Sequence, residues 1–235
     1  MGLNYGPSVV KSGLVLALDA ADINSYPGTG TTWYDLSGNN NHATMYYMNT
    51  PSAGNASGFD TRTKYMMFDR HLGSSDSTVN NVVVVPNSTS LQGVLCQNGM
   101  TIDMWFRETS YVCTAFTKWN GSWELYYCSG FVFRTQGTGG TDISTGVPTS
   151  SGTWRNIIAT HDGTTAKTYV NGVLISSNSN TVTGQNTTNN ISIGAYESGI
   201  YASYGAIPVY RLYNRVLTEP EIKQNYNATK TKFKL

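Results

Sequence analysis

The stretch Trp154–Ile175, WRNIIATHDGTTAKTYVNGVLI, decides the fold. It contains three runs rich in β-branched and aromatic residues, separated by the dipeptides Asp162-Gly163 and Asn171-Gly172. Asn-Gly accepts positive φ at both central positions of a type I′ turn, which joins neighbouring antiparallel strands. The stretch therefore predicts a three-stranded antiparallel meander with two tight hairpins.

Short β-prone runs continue on both sides of this meander. In Thr101–Arg107, Ile102, Met104 and Phe106 occupy alternate positions, so we expect them to share one face of a strand. Many short strands between turn signals predict an antiparallel sandwich or barrel. The other predicted strands are Leu14–Leu18, Tyr65–Phe68, Val82–Val85, Trp123–Cys128, Phe131–Arg134, Ile191–Gly194 and Ile207–Tyr213.

A short helix is predicted near the C-terminus. Thr218 and Glu221 have the spacing of a capping box, in which each side chain satisfies a backbone N–H at the start of a helix. Leu217 and Ile222 occupy the two positions of a hydrophobic staple, and Tyr226 continues the apolar stripe. We expect about two helical turns that are stable because they dock on the sandwich.

Composition excludes several functional classes. Of the 235 residues only 12% are charged, about half the usual share, and the formal net charge is +1. Binding to nucleic acid or to an anionic membrane surface requires a basic patch, so neither is expected as a partner. Residues 12–235 are predicted to form a single domain after an N-terminal arm at 1–11. Within that domain, Asn39–Thr63 and Gln136–Gly152 are predicted to be long surface loops.

The N-terminus and the cysteines point to synthesis in a cytoplasm. Met1–Lys11 has no apolar run typical of a signal peptide, and no stretch approaches the ~20 apolar residues of a membrane span. Cys96, Cys113 and Cys128 are odd in number and lack a C-x-x-C spacing, which favours buried free thiols. A bridge between Cys113 and Cys128 is the alternative.

Five segments resemble a known family. Trp33–Ala43 (WYDLSGNNNHA), Trp154–Thr164, Tyr169–Gly172, Ile193-Gly194 and Val209–Thr218 (VYRLYNRVLT) resemble motifs of laminin G-like, concanavalin A-like jelly-roll domains. The resemblance is spread over residues 12–230. It implies an all-β fold, an antiparallel two-sheet jelly-roll sandwich with a short C-terminal helix.

The two ends of the domain carry a narrower resemblance. Ser12–Ala21 (SGLVLALDAA) and Glu221–Ala228 (EIKQNYNA) look like segments of tailed-bacteriophage virion proteins built on this fold. That similarity implies a structural subunit at the virion surface, either capsid decoration or fibre, made in the host cytoplasm. The implied partners are other virion proteins of capsid or tail, together with further copies of the same chain, since such proteins are commonly oligomeric.

The acidic residues argue against catalysis. Glycanases on this sandwich carry paired carboxylates on one strand, whereas the comparable strand here has a single acid, Asp103. Glu108 lies on the opposite face by parity, and nothing requires Glu124 to approach Asp103. No catalytic residue is therefore predicted, although a glycan depolymerase of the same fold remains the alternative. The histidines have no zinc-binding spacing.

A metal site is considered at one loop. Asp35, Asn39 and Asn41 lie in a Gly-punctuated segment and carry the hard oxygen atoms that calcium prefers. The predicted binding function requires no cofactor. Ca²⁺ is the one candidate, because laminin G-like domains, which this sequence resembles, often hold calcium at the sandwich rim. The alternative is that Asp35 caps a turn through local hydrogen bonds.

Glycan contacts are predicted in an aromatic loop. Gly194–Tyr204 carries Tyr196, Glu197, Tyr201 and Tyr204, and exposed aromatic side chains mark contact sites. Trp119 is added because it and Trp123 flank a predicted exposed hairpin. The function expected is weak, non-enzymatic binding of host-surface glycans by a virion protein. A tail-associated receptor-binding lectin, and a structural cement protein whose tyrosines contact a neighbouring subunit, are the alternatives.

Overall fold

The computed structural model describes residues 7–46, 48, 58–68, 81–108, 114–118, 122–127, 131–147, 152–185, 188–195 and 205–235. The strands formed by these residues are β1 (Leu14–Asp19), β2 (Thr32–Trp33), β3 (Ala43–Tyr46), β4 (Gly58–Asp60), β5 (Tyr65–Phe68), β6 (Val82–Val85), β7 (Met100–Glu108), β8 (Thr114–Lys118), β9 (Trp123–Tyr127), β10 (Phe131–Thr135), β11 (Asp142–Ser144), β12 (Arg155–His161), β13 (Thr165–Val170), β14 (Val173–Ser179), β15 (Ile191–Ile193) and β16 (Gly205–Tyr213). The α-helices are α1 (Thr89–Gln92) and α2 (Glu219–Thr229), and 3-10 turns cover Cys96–Asn98 and Lys230–Phe233.

The first sheet contains the predicted meander. Its strand order is β14-β13-β12-β7-β16-β5-β4, and β1 also pairs with β16. The Asn171-Gly172 turn has φ values of 51° and 78°, which are the positive values that a type I′ turn needs. The meander is therefore confirmed, with the Asp162-Gly163 turn one residue longer than a two-residue hairpin.

The second sheet packs its inner face against the first. Its strand order is β11-β10-β9-β8-β15-β6-β3-β2, in which β9 and β10 pair antiparallel. Residues Ile102, Met104 and Phe106 of β7 meet Phe116 and Phe133 of the second sheet in one buried apolar core. Both sheets contribute to this core, so the predicted all-β antiparallel sandwich is confirmed.

The C-terminal helix covers part of the outer face of the first sheet. The capping box of Thr218 and Glu221 is present, and Ile222 is buried against Ile158 and Tyr169. At eleven residues, α2 is longer than the predicted two turns, because docking continues through the following 3-10 turn. Phe233 of that turn stacks on Trp105 with ring centroids 4.0 Å apart.

Three expectations about loops and exposure are wrong. The region Asn39–Thr63 contains β3 and β4, and Gln136–Gly152 contains β11. These strands have three or four residues, which is too short for a periodic signal, and pairing with a neighbouring strand stabilises them. Trp123 does begin the second strand of the β8–β9 hairpin, but its side chain is buried in the core, where its Nε1 donates to the Val94 carbonyl at 2.9 Å.

The described residues confirm one of the cysteine predictions. Cys96 is a buried free thiol, as predicted, and burial raises its pKa to about 12. Cys113 and Cys128 lie outside the described residues. Among the described helices, none has the length and apolar character that a membrane crossing needs.

Candidate functional site

Four polar and aromatic side chains meet on the outer face of the second sheet. Successive strand residues point to opposite faces, and Leu125 and Phe133 point into the core. Their neighbours therefore point outward, and the register places Arg134 opposite both Glu124 on β9 and Asp142 on β11. We call this set the Arg134 cluster; its members are Glu124, Tyr126, Arg134 and Asp142.

The guanidinium of Arg134 joins the cluster. Its Nε and Nη2 donate to the two carboxylate oxygens of Asp142 at 2.5 and 2.9 Å, and its Nη1 donates to Glu124 at 3.3 Å. Nη2 also donates to the Tyr126 hydroxyl at 3.3 Å, and the guanidinium carbon lies 4.8 Å from the centre of that ring. The Tyr126 hydroxyl donates in turn to Asp142 at 3.1 Å. Bidentate Arg–carboxylate pairs fix orientation as well as energy, so the cluster is preorganised.

The cluster is half open to solvent. The side chains of Asp142 and Arg134 are 47% and 31% exposed, whereas that of Glu124 is 1% exposed. Hydrogen bonding to Asp142 raises the pKa of Arg134, and the same bonds hold the pKa of Asp142 below its usual value. Burial, with the nearby charge of Asp142, raises the pKa of Tyr126. At neutral pH the exposed surface therefore presents a fixed carboxylate, part of a guanidinium and a neutral phenol.

The ion pair at Asp142 determines which protonation state this carboxyl group holds. A glycosidase needs one carboxyl group that stays protonated to donate a proton to the leaving oxygen. Arg134 favours the ionised form of Asp142 and bonds to Glu124 as well. Asp142 is thereby held ionised and is not prepared as a general acid. What the cluster offers is a set of oriented hydrogen-bonding groups beside an aromatic ring.

Asp103 lies beneath α2 on the outer face of the first sheet. Its carboxylate is fully buried and accepts hydrogen bonds from Arg211 at 3.0 Å, Asn156 at 2.8 Å and Asn225 at 3.0 Å. Glu124 points outward from the second sheet, so the two acids are on opposite sides of the sandwich. Asp103 and Glu124 therefore do not form a catalytic pair.

The loop considered for calcium is held by hydrogen bonds to its own backbone. The Asp35 carboxylate accepts from the backbone N–H groups of Ala17, Ser37 and Asn41 at 2.8, 2.9 and 3.0 Å, and from the Ser37 hydroxyl at 2.7 Å. The side-chain amide of Asn39 donates to the Leu14 carbonyl at 3.2 Å. These contacts fit turn capping.

A calcium ion at this loop would have to replace those donors. The Asn41 amide is also engaged, since it donates to the Val15 carbonyl at 2.7 Å. Across the described residues, no three His, Cys, Asp or Glu side chains are grouped so as to hold a metal ion. Calcium binding by Asp35, Asn39 and Asn41 stays a prediction.

The aromatic loop predicted to bind glycans lies outside the described residues. This holds for Tyr196, Glu197, Tyr201 and Tyr204, and also for Trp119. The flanking elements are described: β15 ends at Ile193 in the second sheet, and β16 begins at Gly205 in the first. The contacts predicted for this loop stay predictions.

Sequence analysis missed Tyr126, Arg134 and Asp142 as candidate site residues. Alternation along the β9–β10 hairpin was a usable signal, since it places Glu124 and Arg134 on one face. Asp142 had no such signal because its strand has only three residues and lies in a region predicted to be a loop.

Comparison with known proteins agrees with this architecture. A family model described as the concanavalin A-like lectin/glucanases superfamily matches residues 76–223. No curated protein is a significant match to the sequence.

Three solved structures illustrate the shared fold. The binding domain of Paraclostridial Mosquitocidal Protein 1 has a TM-score of 0.64 and 19% identity over 93% of this chain and 52% of that one. Domain 4 of AbnA, an extracellular arabinanase from Geobacillus stearothermophilus, was solved with arabinotriose. It has a TM-score of 0.60 and 18% identity over 92% of this chain and 98% of that one. The binding domain of botulinum neurotoxin DC in complex with SialylT has a TM-score of 0.63 and 16% identity over 93% of this chain and 52% of that one. The chain thus spans about half the length of the two toxin domains. At these identities the likeness is one of fold.

Proposed function

The chain belongs to the concanavalin A-like lectin/glucanases superfamily, and on that premise we propose that it is a non-catalytic, lectin-like module that binds glycans. The observation that carries the proposal is the Arg134 cluster, a preorganised set of polar groups and one aromatic ring on an outer sheet face. Groups already held in position lose little conformational entropy when a ligand binds, which favours affinity.

The chemistry of the cluster complements a sugar. A sugar hydroxyl both donates and accepts hydrogen bonds, so it can meet the Asp142 carboxylate and the Arg134 guanidinium together. The ring of Tyr126 supplies apolar area beside these groups. The fold neighbours add support, since the arabinanase domain was solved with arabinotriose and a neurotoxin domain with SialylT.

Binding at this face is tested by replacing its exposed carboxylate. Asp142→Ala removes a charge-assisted hydrogen bond, and we expect glycan affinity to fall about tenfold in titration calorimetry, with the glycan chosen from an immobilised array. Glu219→Ala is the matched control, because it removes an exposed carboxylate on α2, outside the second sheet. Equal affinity of the Asp142 variant and the wild type would show that the site lies elsewhere.

Absence of catalysis has a separate test. The wild-type protein, incubated with the glycan that it binds, is expected to release no shorter products by chromatography. Product formation that is lost in an Asp103→Asn or Asp142→Asn variant would overturn the non-catalytic assignment and favour the depolymerase.

The predicted aromatic loop defines a second test of the same function. Changing Tyr201 and Tyr204 to Ala is expected to weaken glycan binding while particle assembly continues. Failed assembly with unchanged glycan binding would instead assign these tyrosines to a contact with another protein.

The setting that we propose is the surface of a virus particle, as a capsid decoration or fibre subunit. Support comes from the resemblance of Ser12–Ala21 and Glu221–Ala228 to virion proteins. These two segments also belong to one structural unit, since Leu14, Ala17 and Ile222 share an apolar cluster. Cryo-electron microscopy of particles tests this. Sandwich density on the capsid lattice would support decoration, density at the tail would favour a receptor-binding lectin, and absence from particles would refute the setting.

A further inference from the structure

The Arg134 cluster has little hydrogen-bonding capacity left for a ligand. A guanidinium has five N–H donors, and Arg134 uses four of them on Asp142, Glu124 and Tyr126. A carboxylate accepts about four hydrogen bonds, and Asp142 already accepts three, two from Arg134 and one from Tyr126. The exposed part of the cluster therefore offers about one donor and one acceptor.

One donor beside one acceptor matches a hydroxyl group. A hydroxyl donates one hydrogen bond and accepts others, whereas a carboxylate or sulfate only accepts. An acidic group placed here would find a single N–H and would leave the remaining acceptor of Asp142 facing another acceptor.

Charge adds to this mismatch. The side chain of Asp142 is more exposed than that of Arg134, 47% against 31%, so an acidic group that reaches the remaining acceptor of Asp142 meets its negative charge at close range. Two like unit charges about 4 Å apart repel by about 1–4 kcal/mol at effective dielectric constants between those of water and a protein surface. Converted at 1.4 kcal/mol per factor of ten, that repulsion weakens binding of an anion by about fivefold or more.

We infer that this site selects uncharged glycans and discriminates against sialylated, sulfated or uronic acid-containing ones. The inference rests on the proposed glycan-binding function and specifies the chemical class of the ligand. An amine-bearing glycan is compatible with the site as well, because an ammonium group donates hydrogen bonds and is attracted by the exposed carboxylate of Asp142.

A glycan array with neutral and acidic members of matched backbone tests the inference. We expect the wild-type protein to retain neutral oligosaccharides and to bind their sialylated or sulfated counterparts at least fivefold more weakly. Binding of the acidic members with equal or greater affinity would overturn the selectivity and leave glycan binding intact. Binding of no glycan at all would overturn both.

The variant Asp142→Asn tests how much the negative charge of Asp142 contributes to the selectivity. Because Asp142 belongs to the binding site, the readout is a ratio of two affinities: removing the charge is expected to raise the affinity for sialyllactose relative to that for lactose by about fivefold. Glu219→Gln removes the same charge from α2 and is expected to change neither affinity. The selectivity argument is wrong if Asp142→Asn leaves the ratio of sialyllactose to lactose affinity unchanged in protein whose thermal unfolding matches the wild type.

Discussion

Lys118 is a buried amine whose replacement should stabilise the protein at neutral pH. It ends β8 with no solvent exposure, and its Nζ donates to the Leu91 carbonyl at 2.6 Å. Among the described residues, no carboxylate forms an ion pair with it. Burial lowers its pKa from 10.5 to about 8, because the charged form is disfavoured away from water. Lys118→Met keeps a side chain of similar shape and removes the charge.

The shift in the pKa of Lys118 sets the size of the expected gain in unfolding free energy. A fall from 10.5 to about 8 corresponds to about 3 kcal/mol of lost stability at pH 7, at 1.36 kcal/mol per pKa unit. Leaving the Leu91 carbonyl without its donor costs about 1 kcal/mol. The variant is therefore expected to unfold with a free energy about 2 kcal/mol higher than wild type at pH 7.

The pH dependence of the stability difference tests whether the buried charge of Lys118 is its cause. The unfolded chain binds the Lys118 proton more tightly than the folded chain does, so wild-type stability rises as pH increases from below 8 towards 10.5. Urea unfolding at intervals from pH 7 to 10 should show the advantage of Lys118→Met falling to about zero near pH 10. Lys11→Met, which removes an exposed lysine, is the control with a constant difference. A pH-independent difference for Lys118→Met, or a variant less stable than wild type at pH 7, would refute the reasoning.

Three further predictions concern buried or paired ionisable groups. Asp103→Ala should cost about 3–5 kcal/mol in urea unfolding, because Arg211 becomes a buried unpaired charge, and adding Arg211→Met should recover part of that loss. Burial lowers the pKa of His161, so the folded state holds it neutral and stability should fall as pH drops below 6.5; in His161→Phe this acid sensitivity should be smaller, as thermal melts from pH 8 to 5 would show. Hydrogen bonding from Arg215 lowers the pKa of Glu221 to about 2, so Glu221→Gln should cost about 1 kcal/mol at pH 7 by urea unfolding, and that deficit should shrink as pH falls from 4.5 towards 2.

Much of the fold could be predicted because its signals are local. Alternation along β7 identified the residues that face the core, and the Asn171-Gly172 dipeptide identified a turn by its own backbone preference. The capping box at Thr218 and Glu221 likewise depends on residues three positions apart. Each signal is complete within a few residues, so no knowledge of distant contacts was needed.

The candidate site depended on contacts between distant parts of the chain. Asp103 looked available for chemistry until α2 covered it, and Asn225, 122 residues further along the chain, supplies one of its hydrogen bonds. Arg134 and Asp142 became partners through the register of a three-residue strand that has no periodic signal. The sequence by itself thus determined which residues alternate and where the chain turns. Only the tertiary structure decided which acids are buried and which meet a guanidinium at the surface, because burial and charge pairing depend on what packs against each strand.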